Sequence, residues 1–235
     1  MAVYKNSAPF GSIVTDGLVL NLDATNRASY PGSGTTWTDT SFYRNNGTLT
    51  NGPTFLQERG RGSIVFDGVD DYVLGASNLN ISGDPAFSIC YWAIWDDSTF
   101  SSNYPSGVGS NSTGVVNQGL STTWSSGRIA LDFWNNRFRA NNALNVQTWY
   151  YVCFTKIPGL IGSTCKLYAN AQEYVGAVEN TNASPNITNS PFVVGRLDAT
   201  RWFKGRISAV QIYNRALSAQ EVQQNYNALK SRFGL

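Results

Sequence analysis

The chain has 235 residues, a length that a single all-β sandwich reaches without splitting into two domains. Its formal net charge is +2 and it has no run of Lys or Arg, which argues against the phosphate-binding stripe of a nucleic-acid-binding protein. No segment approaches the roughly 18 consecutive apolar residues of a membrane span, and the first residues lack the apolar stretch of a signal peptide, so we expect a protein made and kept in the cytoplasm without membrane insertion.

Composition and patterning predict a β-rich domain behind a short arm. The chain is 13% aromatic and only 14% charged and contains 22 Gly, as expected where many short strands are joined by turns. Residues 1–12 are polar and poorly patterned, so we expect an N-terminal arm that either frays or docks on a neighbour. No linker divides residues 13–235, which predicts one domain.

The strand pattern starts at Leu18. Short apolar runs at residues 18–22, 47–50 and 63–66 each end in Asn, Asp or Gly, which favour turns. Residues 87–95 are apolar on both faces of an extended chain, and this pattern predicts a central strand buried on both sides.

A polar stretch of Ser, Asn, Gly and Pro follows at residues 96–114. It is too long for a simple connector in a compact domain, so we expect a loop that carries function or assembly contacts. Asp96, Asp97 and Tyr104 are its candidate contact residues.

Three hairpins are predicted in the second half of the chain. Residues 128–134 and 137–140 flank Asn135 and Asn136, two residues that tolerate the left-handed angles of a tight turn. Residues 149–154 and 166–169 form a second hairpin across a Gly/Pro loop, and Asn170 and Ala171 form a third turn. Residues 192–195 and 205–213 complete the strands.

Only the C-terminus shows a helical pattern. Ser218 followed by Glu221 makes a capping box, and Leu217 can pack on Val222 as a hydrophobic staple. The predicted helix covers residues 218–231. Its apolar stripe, able to cover the sandwich, consists of Val222, Tyr226, Leu229 and Phe233.

The three cysteines, Cys90, Cys153 and Cys165, lie inside predicted strands. Buried free thiols are the interpretation we favour, although Cys153 and Cys165 flank one hairpin and could face each other in a cross-strand bond. There is no histidine and no Cys-x-x-Cys motif, so we predict no metal site and no cofactor.

Six motifs in a fixed order carry a family resemblance. They are SIVFDGVDDYV at 63–73, FSICYW at 87–92, TWYYV at 148–152, KLYAN at 166–170, FKGRI at 203–207 and QIYNRALS at 211–218. Together they resemble the laminin-G-like branch of the concanavalin A-like lectin/glucanase superfamily across residues 16–233. The resemblance implies an all-β fold, a two-sheet antiparallel jelly-roll sandwich with a short C-terminal helix and a concave face and rim prone to bind ligands.

The chain departs from this family at three places. Tyr151 stands where an imidazole is common, and the usual Asn-Gly turn has become Asn170-Ala171. Calcium-binding relatives carry oxygen ligands on a rim loop that here, at residues 195–202, holds Asp198 beside two Arg. Because a hard cation needs several oxygen ligands, calcium binding is disfavoured.

A second, narrower resemblance involves four other segments. They are SIVTDGLVLNLDA at 12–24, YPGSGTTWTD at 30–39, NNGTLTNGP at 45–53 and QQNYNALKSRF at 223–233. These segments resemble laminin-G-like domains of structural proteins in tailed phages. The resemblance implies a virion component, which agrees with the missing signal peptide.

The sequence offers little support for an enzyme. Glycoside hydrolysis needs two carboxyl groups about 5 to 9 Å apart, yet the four glutamates are scattered, and adjacent pairs such as Asp70 and Asp71 point to opposite faces of a strand. We interpret those pairs as solvated turn carboxylates. Without histidine there is no Ser-His or Cys-His pair, so we predict no catalytic residue.

Two tryptophans are candidates for contact with a ligand or a neighbouring subunit. Trp124 and Trp202 lie in polar surroundings, where each indole is either partly buried in its own domain or free to stack. Trp92, Trp134 and Trp149 lie in regular strands and are predicted to be core residues, and Trp37 is undecided.

We therefore expect a non-enzymatic virion structural protein of a tailed phage, in head decoration, tail or spike. It would be assembled in the host cytoplasm and bind other virion proteins and copies of itself in a symmetric oligomer. The alternative is a carbohydrate-binding adhesion module that recognises host surface polysaccharide. The candidate contact residues are Trp124, Trp202, Asp96, Asp97, Tyr104 and Asp198.

Overall fold

The computed structural model of the protein describes residues 11–96, 103–108 and 115–235, and of residues 103–108 it describes the backbone only. Most of the predicted arm therefore lies outside the described residues, and the division into arm and domain stays a prediction. In chain order the strands are β1 (Leu18–Asp23), β2 (Thr36–Trp37), β3 (Gly47–Thr50), β4 (Thr54–Glu58), β5 (Arg61–Asp67), β6 (Tyr72–Asn78), β7 (Phe87–Trp95), β8 (Asn103–Val108), β9 (Ser121–Ser125), β10 (Arg128–Asp132), β11 (Arg137–Ala140), β12 (Tyr150–Lys156), β13 (Cys165–Ala169), β14 (Gln172–Tyr174), β15 (Gly176–Glu179), β16 (Pro191–Val194), β17 (Arg196–Asp198), β18 (Arg201–Trp202) and β19 (Lys204–Tyr213). The helices are α1 (Ile161–Thr164) and α2 (Ala219–Leu229), followed by a 3-10 helix, Lys230–Phe233.

Two large antiparallel sheets form the body of the protein. The first has the order β14-β13-β12-β7-β19-β5-β4, and β1 also pairs with β19. The long β19 faces β5 with its residues 204–207 and β1 with its residues 209–213. The second sheet has the order β15-β11-β10-β9-β8-β16-β6-β3-β2, and β17 and β18 form a separate hairpin. The predicted all-β sandwich with a short C-terminal helix is confirmed.

The main core lies between the two sheets. Ile89, Tyr91 and Trp95 of β7 belong to one buried cluster with Leu131 and Phe192 of the second sheet. Because side chains alternate along a strand, the intervening residues of β7 must point away from this core.

A second apolar cluster covers the outer face of the first sheet. Cys90, Trp92 and Ile94 of β7 pack there together with side chains of α2. The ring of Phe233 stacks on Trp92 with the centroids 3.8 Å apart. All nine residues of β7 are buried, which confirms the predicted central strand.

The C-terminal helix begins where its capping signal predicts. Glu221 N donates to Ser218 Oγ at 3.3 Å, and Ser218 N donates to the Glu221 carboxylate at 2.8 Å. Leu217 and Val222 are both buried in the cluster beneath the helix, as the staple requires. No helix in the described part of the chain has the length and apolarity needed to cross a membrane.

The three cysteines are buried and free, as predicted. Strand register excludes the alternative bond between Cys153 and Cys165. Cys153 lies opposite Cys90 on one side and Tyr168 on the other, whereas Cys165 lies opposite Lys156.

Two segments predicted as loops contain regular structure. Within the polar stretch at 96–114, residues 103–108 form β8, which pairs with β9 and β16. Backbone hydrogen bonds to the two neighbouring strands stabilise β8. Its sequence lacks the alternation of apolar and polar residues by which strands are predicted, so the sequence did not indicate it. Residues 161–164 form the single turn α1, although helix was predicted only at the C-terminus.

Candidate functional site

The turn between β10 and β11 places an indole ring at the rim of the second sheet. Trp134 and Asn135 have left-handed backbone angles, with φ of 63° and 56°, and Phe133 N donates to Asn136 O at 2.8 Å. The turn is therefore one residue earlier than the predicted Asn135–Asn136 turn. Asn136 is instead buried, and its amide donates to Asn117 Oδ1.

This shift corrects the prediction that Trp134 is a core residue. Anchoring of Asn136 inside the protein moves Trp134 out of the strand, where it is only half-buried. A second anchor comes from Asn180, whose amide donates to the carbonyl of Asn135 at 2.9 Å. A bulky residue in the left-handed region is strained by about 1–2 kcal/mol, and such strain is concentrated at functional sites.

The β17–β18 hairpin packs against this indole. Asp198 Oδ1 accepts hydrogen bonds from the backbone and hydroxyl of Thr200, both at 2.9 Å, and Arg201 Nε donates to Asp198 Oδ2 at 3.0 Å. Burial pushes the pKa of Asp198 upward, but the hydrogen bonds from Arg201 and Thr200 outweigh burial and leave the pKa below its ordinary value. The Arg201 guanidinium, held in this way, lies with its carbon 4.9 Å from the Trp134 ring centroid.

A cavity of about 350 Å³ opens between the two hairpins. On its floor, Arg137 Nε donates to Asp132 Oδ2 at 2.8 Å, and a second guanidinium nitrogen lies 2.7 Å from the same oxygen. Both side chains point outward because Leu131 and Phe138, their neighbours on β10 and β11, point into the core. The full lining is Val116, Asp132, Trp134, Asn135, Arg137, Leu197 and Arg201.

The charges around the cavity are balanced. Arg137 pairs with Asp132 and lies 3.6 Å from Glu179, and Arg139 lies 3.2 Å from the same carboxylate. Burial raises the pKa of Asp132 above its ordinary value, and the neighbouring Arg137 guanidinium opposes that rise. The ion pairs therefore leave little net charge around the site.

The other side of the β17–β18 hairpin carries a second group of side chains. The guanidinium carbon of Arg196 lies 3.5 Å from the Tyr72 ring centroid and 5.6 Å from that of Trp202. The two rings are 6.1 Å apart, and all three side chains are half-buried.

The structure brings two of the predicted contact residues together. Asp198 and Trp202 both lie on the β17–β18 hairpin, but neither lines the cavity: Asp198 holds the lining residue Arg201, and Trp202 lies on the other side of the hairpin. Asp96 lies elsewhere, just after β7, where its carboxylate is 3.9 Å from Arg206 Nε.

The remaining predicted contact residues do not contribute described side chains to the site. Asp97 lies outside the described residues, and Tyr104 lies on β8, whose backbone alone is described. Trp124 is only 1% exposed and stacks on Trp95 with the centroids 5.5 Å apart. The prediction that Trp124 contacts a ligand is wrong for this structure, because the alternation of β9 turns its indole into the core.

Sequence reasoning missed Trp134, Arg137 and Arg201. The available signal was a tryptophan directly before two asparagines, which tolerate a turn in either of two registers. Trp92 is buried as predicted, and Trp149 is 8% exposed. Trp37, which the sequence left undecided, is fully buried.

One group of three carboxylates in the described residues lies close enough to share a cation. Oxygen atoms of Asp67, Asp70 and Asp71 lie within 4.8 Å of one another. They support the β5–β6 turn, since Val69 N donates to Asp67 Oδ1 at 2.8 Å and Asp67 N donates to Asp71 Oδ2 at 3.0 Å. The interpretation as solvated turn carboxylates fits Asp70 but not Asp71, which is buried and whose pKa burial raises.

The sandwich and its open rim cavity define a lectin-like β-domain. The chain belongs to the family Laminin_G_3, described as concanavalin A-like lectin/glucanases superfamily, whose model matches residues 67–223, more than half of the chain. No curated protein matches the sequence.

Several solved structures share the fold. Trypanosoma rangeli sialidase in complex with the inhibitor DANA aligns with a TM-score of 0.65 and 14% identity over 94% of this chain, which spans only 34% of the sialidase. Domain 4 of AbnA, an extracellular GH43 arabinanase from Geobacillus stearothermophilus in complex with arabinotriose, gives 0.67 and 15% over 91% of this chain and 100% of that domain. The HCR/D F1240A mutant gives 0.63 and 14% over 92% of this chain and 52% of its own. At these identities the likeness shows the fold alone.

Proposed function

We propose that this chain is a non-enzymatic recognition domain that binds carbohydrate in the rim cavity between the β10–β11 and β17–β18 hairpins. The observation that carries the proposal is the half-buried indole of Trp134, held in a strained turn above the paired Asp132 and Arg137. A cavity of about 350 Å³ falls in the range of about 300–1,000 Å³ typical of small-ligand sites.

The chemistry of the lining suits a sugar. A sugar ring offers an apolar C–H face, which an indole can cover, and hydroxyls that both donate and accept hydrogen bonds. Arg137 and Arg201 supply donors, and Asp132 supplies an acceptor. Because the ion pairs balance their charges, the cavity favours a neutral ring over a free ion.

The same ion pairs support recognition without hydrolysis. Asp132 and Asp198, the carboxylates nearest the cavity, are each hydrogen-bonded to an arginine. Each arginine favours the charged form of its carboxylate, which opposes the protonation that a general acid needs. We expect no release of reducing ends when oligosaccharides that bind are incubated with the protein, and such release would contradict this part of the proposal.

The binding test uses a glycan array followed by calorimetry with the strongest ligand. Trp134→Ala should weaken binding at least about tenfold, since it removes the stacking face. Phe42→Ala, at a 93% exposed ring on the β2–β3 loop, is the matched control and should bind as the unchanged protein does. Absence of any glycan ligand, or equal binding by Trp134→Ala, would refute the proposal.

A virion structural role is the second candidate, and a different surface favours it. The β2–β3 loop exposes Phe42 and Tyr43, 93% and 56% exposed, with their rings 5.9 Å apart. The buried carboxylate of Asp39 fixes the loop by accepting hydrogen bonds from the backbones of Ser41 and Asn45 at 2.8 and 2.7 Å. A rigid exposed aromatic pair is the kind of anchor that protein interfaces use.

Hydrogen bonds link the four segments that resemble phage structural domains to one another. Asn21 N donates to Asp39 Oδ1 at 2.8 Å, and Asp39 N donates to Asn46 Oδ1 at 3.0 Å. At the other end of the group, Val14 N donates to Asn225 Oδ1 at 2.7 Å. The four segments are therefore neighbours in the fold, which supports treating them as one unit.

On this second reading the protein would assemble in the host cytoplasm and contact other virion proteins and copies of itself. Mass spectrometry of purified phage particles should find the chain in fixed stoichiometry. Sedimentation should show an oligomer that Phe42→Ser with Tyr43→Ser disrupts. Absence from the particles would remove this candidate and leave the carbohydrate proposal untouched.

A further inference from the structure

The outer side of the β17–β18 hairpin holds an arginine between two aromatic rings. The guanidinium carbon of Arg196 lies 3.5 Å from the Tyr72 ring centroid and 5.6 Å from that of Trp202. Stacking of this kind uses the flat face of the guanidinium and leaves its N–H edge free to bind.

Arg196 differs from the other arginines around the site. Arg137 and Arg201 each pair with a carboxylate, Asp132 and Asp198 respectively. Within the described ranges, no carboxylate lies within ion-pair distance of Arg196, and no acceptor takes a hydrogen bond from its guanidinium. An oxyanion bound at the free edge of this half-buried guanidinium would supply a counter-charge that the described residues do not.

The position of Arg196 relates it to the rim cavity. Arg201 lines the cavity, and the next residue, Trp202, lies opposite Arg196 in the strand register. Because successive residues of a strand point to opposite faces, cavity and cluster lie on the two sides of one two-stranded hairpin. An oligosaccharide of several rings would contact both by passing around the edge of this hairpin.

We propose that Arg196, stacked on Tyr72 and Trp202, binds an oxyanion, a carboxylate or a sulfate, of an acidic glycan, another ring of which occupies the rim cavity. The planar guanidinium edge matches two oxygens of such a group, and the rings hold it in place before binding. This inference rests on the proposed carbohydrate binding and specifies its ligand class.

A purely structural role is the competing explanation, in which Arg196 only ties the hairpin to β6. That role predicts a loss of stability in any Arg196 variant, with no change in preference between acidic and neutral ligands. Ligand preference, measured at equal folded fraction, therefore separates the two explanations.

The experiment measures the affinity of three matched oligosaccharides, one neutral, one carboxylated and one sulfated. The unchanged protein should prefer an acidic member, and Arg196→Gln should weaken that ligand about ten- to a hundred-fold while leaving the neutral one unchanged. Arg196→Lys should recover only part of the loss, since it keeps the charge without the planar edge. Arg59→Gln removes an exposed charge in the turn between β4 and β5 and should change nothing.

The outcomes distinguish this inference from the proposed function. If the neutral ligand binds in a Trp134-dependent way but acidic groups give no gain, or if Arg196→Gln leaves the preference intact, the inference fails and carbohydrate binding stands. If an acidic ligand binds through Arg196 without dependence on Trp134, the cavity proposal fails and the anion site stands. If none of the three ligands binds, both are overturned.

Discussion

Replacement of Trp134 by alanine and by glycine separates the strain of its turn from the contribution of its ring. Both variants remove the indole, and they differ only in the Cβ atom at a φ of 63°. The left-handed region costs a residue with a Cβ about 1–2 kcal/mol, whereas the extra freedom of glycine in the unfolded chain costs about 0.4–1 kcal/mol. We expect Trp134→Gly to have a free energy of unfolding about 0.5–1 kcal/mol above that of Trp134→Ala.

At an ordinary strand position the glycine variant is less stable than the alanine variant, so such a position serves as the control. Lys166 lies in β13 between two paired strands with its side chain exposed. Lys166→Gly should be less stable than Lys166→Ala by about 0.5–1 kcal/mol. Equilibrium unfolding in urea, followed by circular dichroism, gives all four free energies, provided that the denaturant slopes agree.

Equal stability of the two Trp134 variants, or a more stable alanine variant, would refute the reasoning. The turn would then be centred on Asn135 and Asn136, as the sequence alone suggests, and Trp134 would belong to the strand. Glycan binding should be lost equally in both variants, because neither retains the ring.

Three further predictions concern other parts of the molecule. Asn225→Leu should lower the free energy of unfolding by about 2–4 kcal/mol, since it leaves the buried Val14 N–H without its acceptor and removes the hydrogen bond that the Tyr213 hydroxyl accepts; a loss under about 1 kcal/mol in urea unfolding would contradict this. Burial raises the pKa of Cys165 to about 12, so iodoacetamide at pH 8 should modify this thiol only after unfolding, and rapid labelling of the native protein would show the site to be open. Hydrogen bonds from Arg215 lower the pKa of Glu221 from 4.5 to about 2. Because the folded pKa is the lower one, the stabilisation is complete above about pH 4.5 and is lost as the pH falls toward 2, a dependence that Arg215→Gln should flatten in thermal melts.

The fold was accessible to sequence reasoning because its signals are local. Residues 87–95 are apolar on both faces of an extended chain, and the structure buries both faces of β7. Ser218 and Glu221 form their capping box within four residues, so no tertiary contact is needed to recognise the helix start.

The site could not be predicted from the sequence, because it depends on the register of the β10–β11 turn and on the packing of the β17–β18 hairpin against that turn. Trp124 and Trp134 both stand next to polar residues, yet the first points into the core from β9 and the second leaves the strand at a turn. Trp134 leaves the strand because the turn lies one residue earlier than the sequence suggests, and the hydrogen bond from the buried amide of Asn136 to Asn117 stabilises this turn. No local pattern contains that contact, nor the approach of Arg201 from a distant hairpin.

A left-handed backbone angle at a non-glycine residue indicates a functional site only when a second unusual feature lies beside it. Ala171 also has a left-handed backbone, with φ of 62°, but it completes a tight hairpin and packs against the cluster beneath α2. Trp134 adds to the same strain a half-exposed ring beside a cavity, and Arg196 adds a half-buried charge to which no described carboxylate is paired. Left-handed angles also occur at Arg44, Arg59 and Gln147, with φ of 56°, 49° and 55°, so the backbone angle alone does not mark a site. The proposed binding surface therefore depends on the combination of an indole beside a cavity on one side of the β17–β18 hairpin and an arginine stacked between two rings on the other, which the turn at Ala171 lacks.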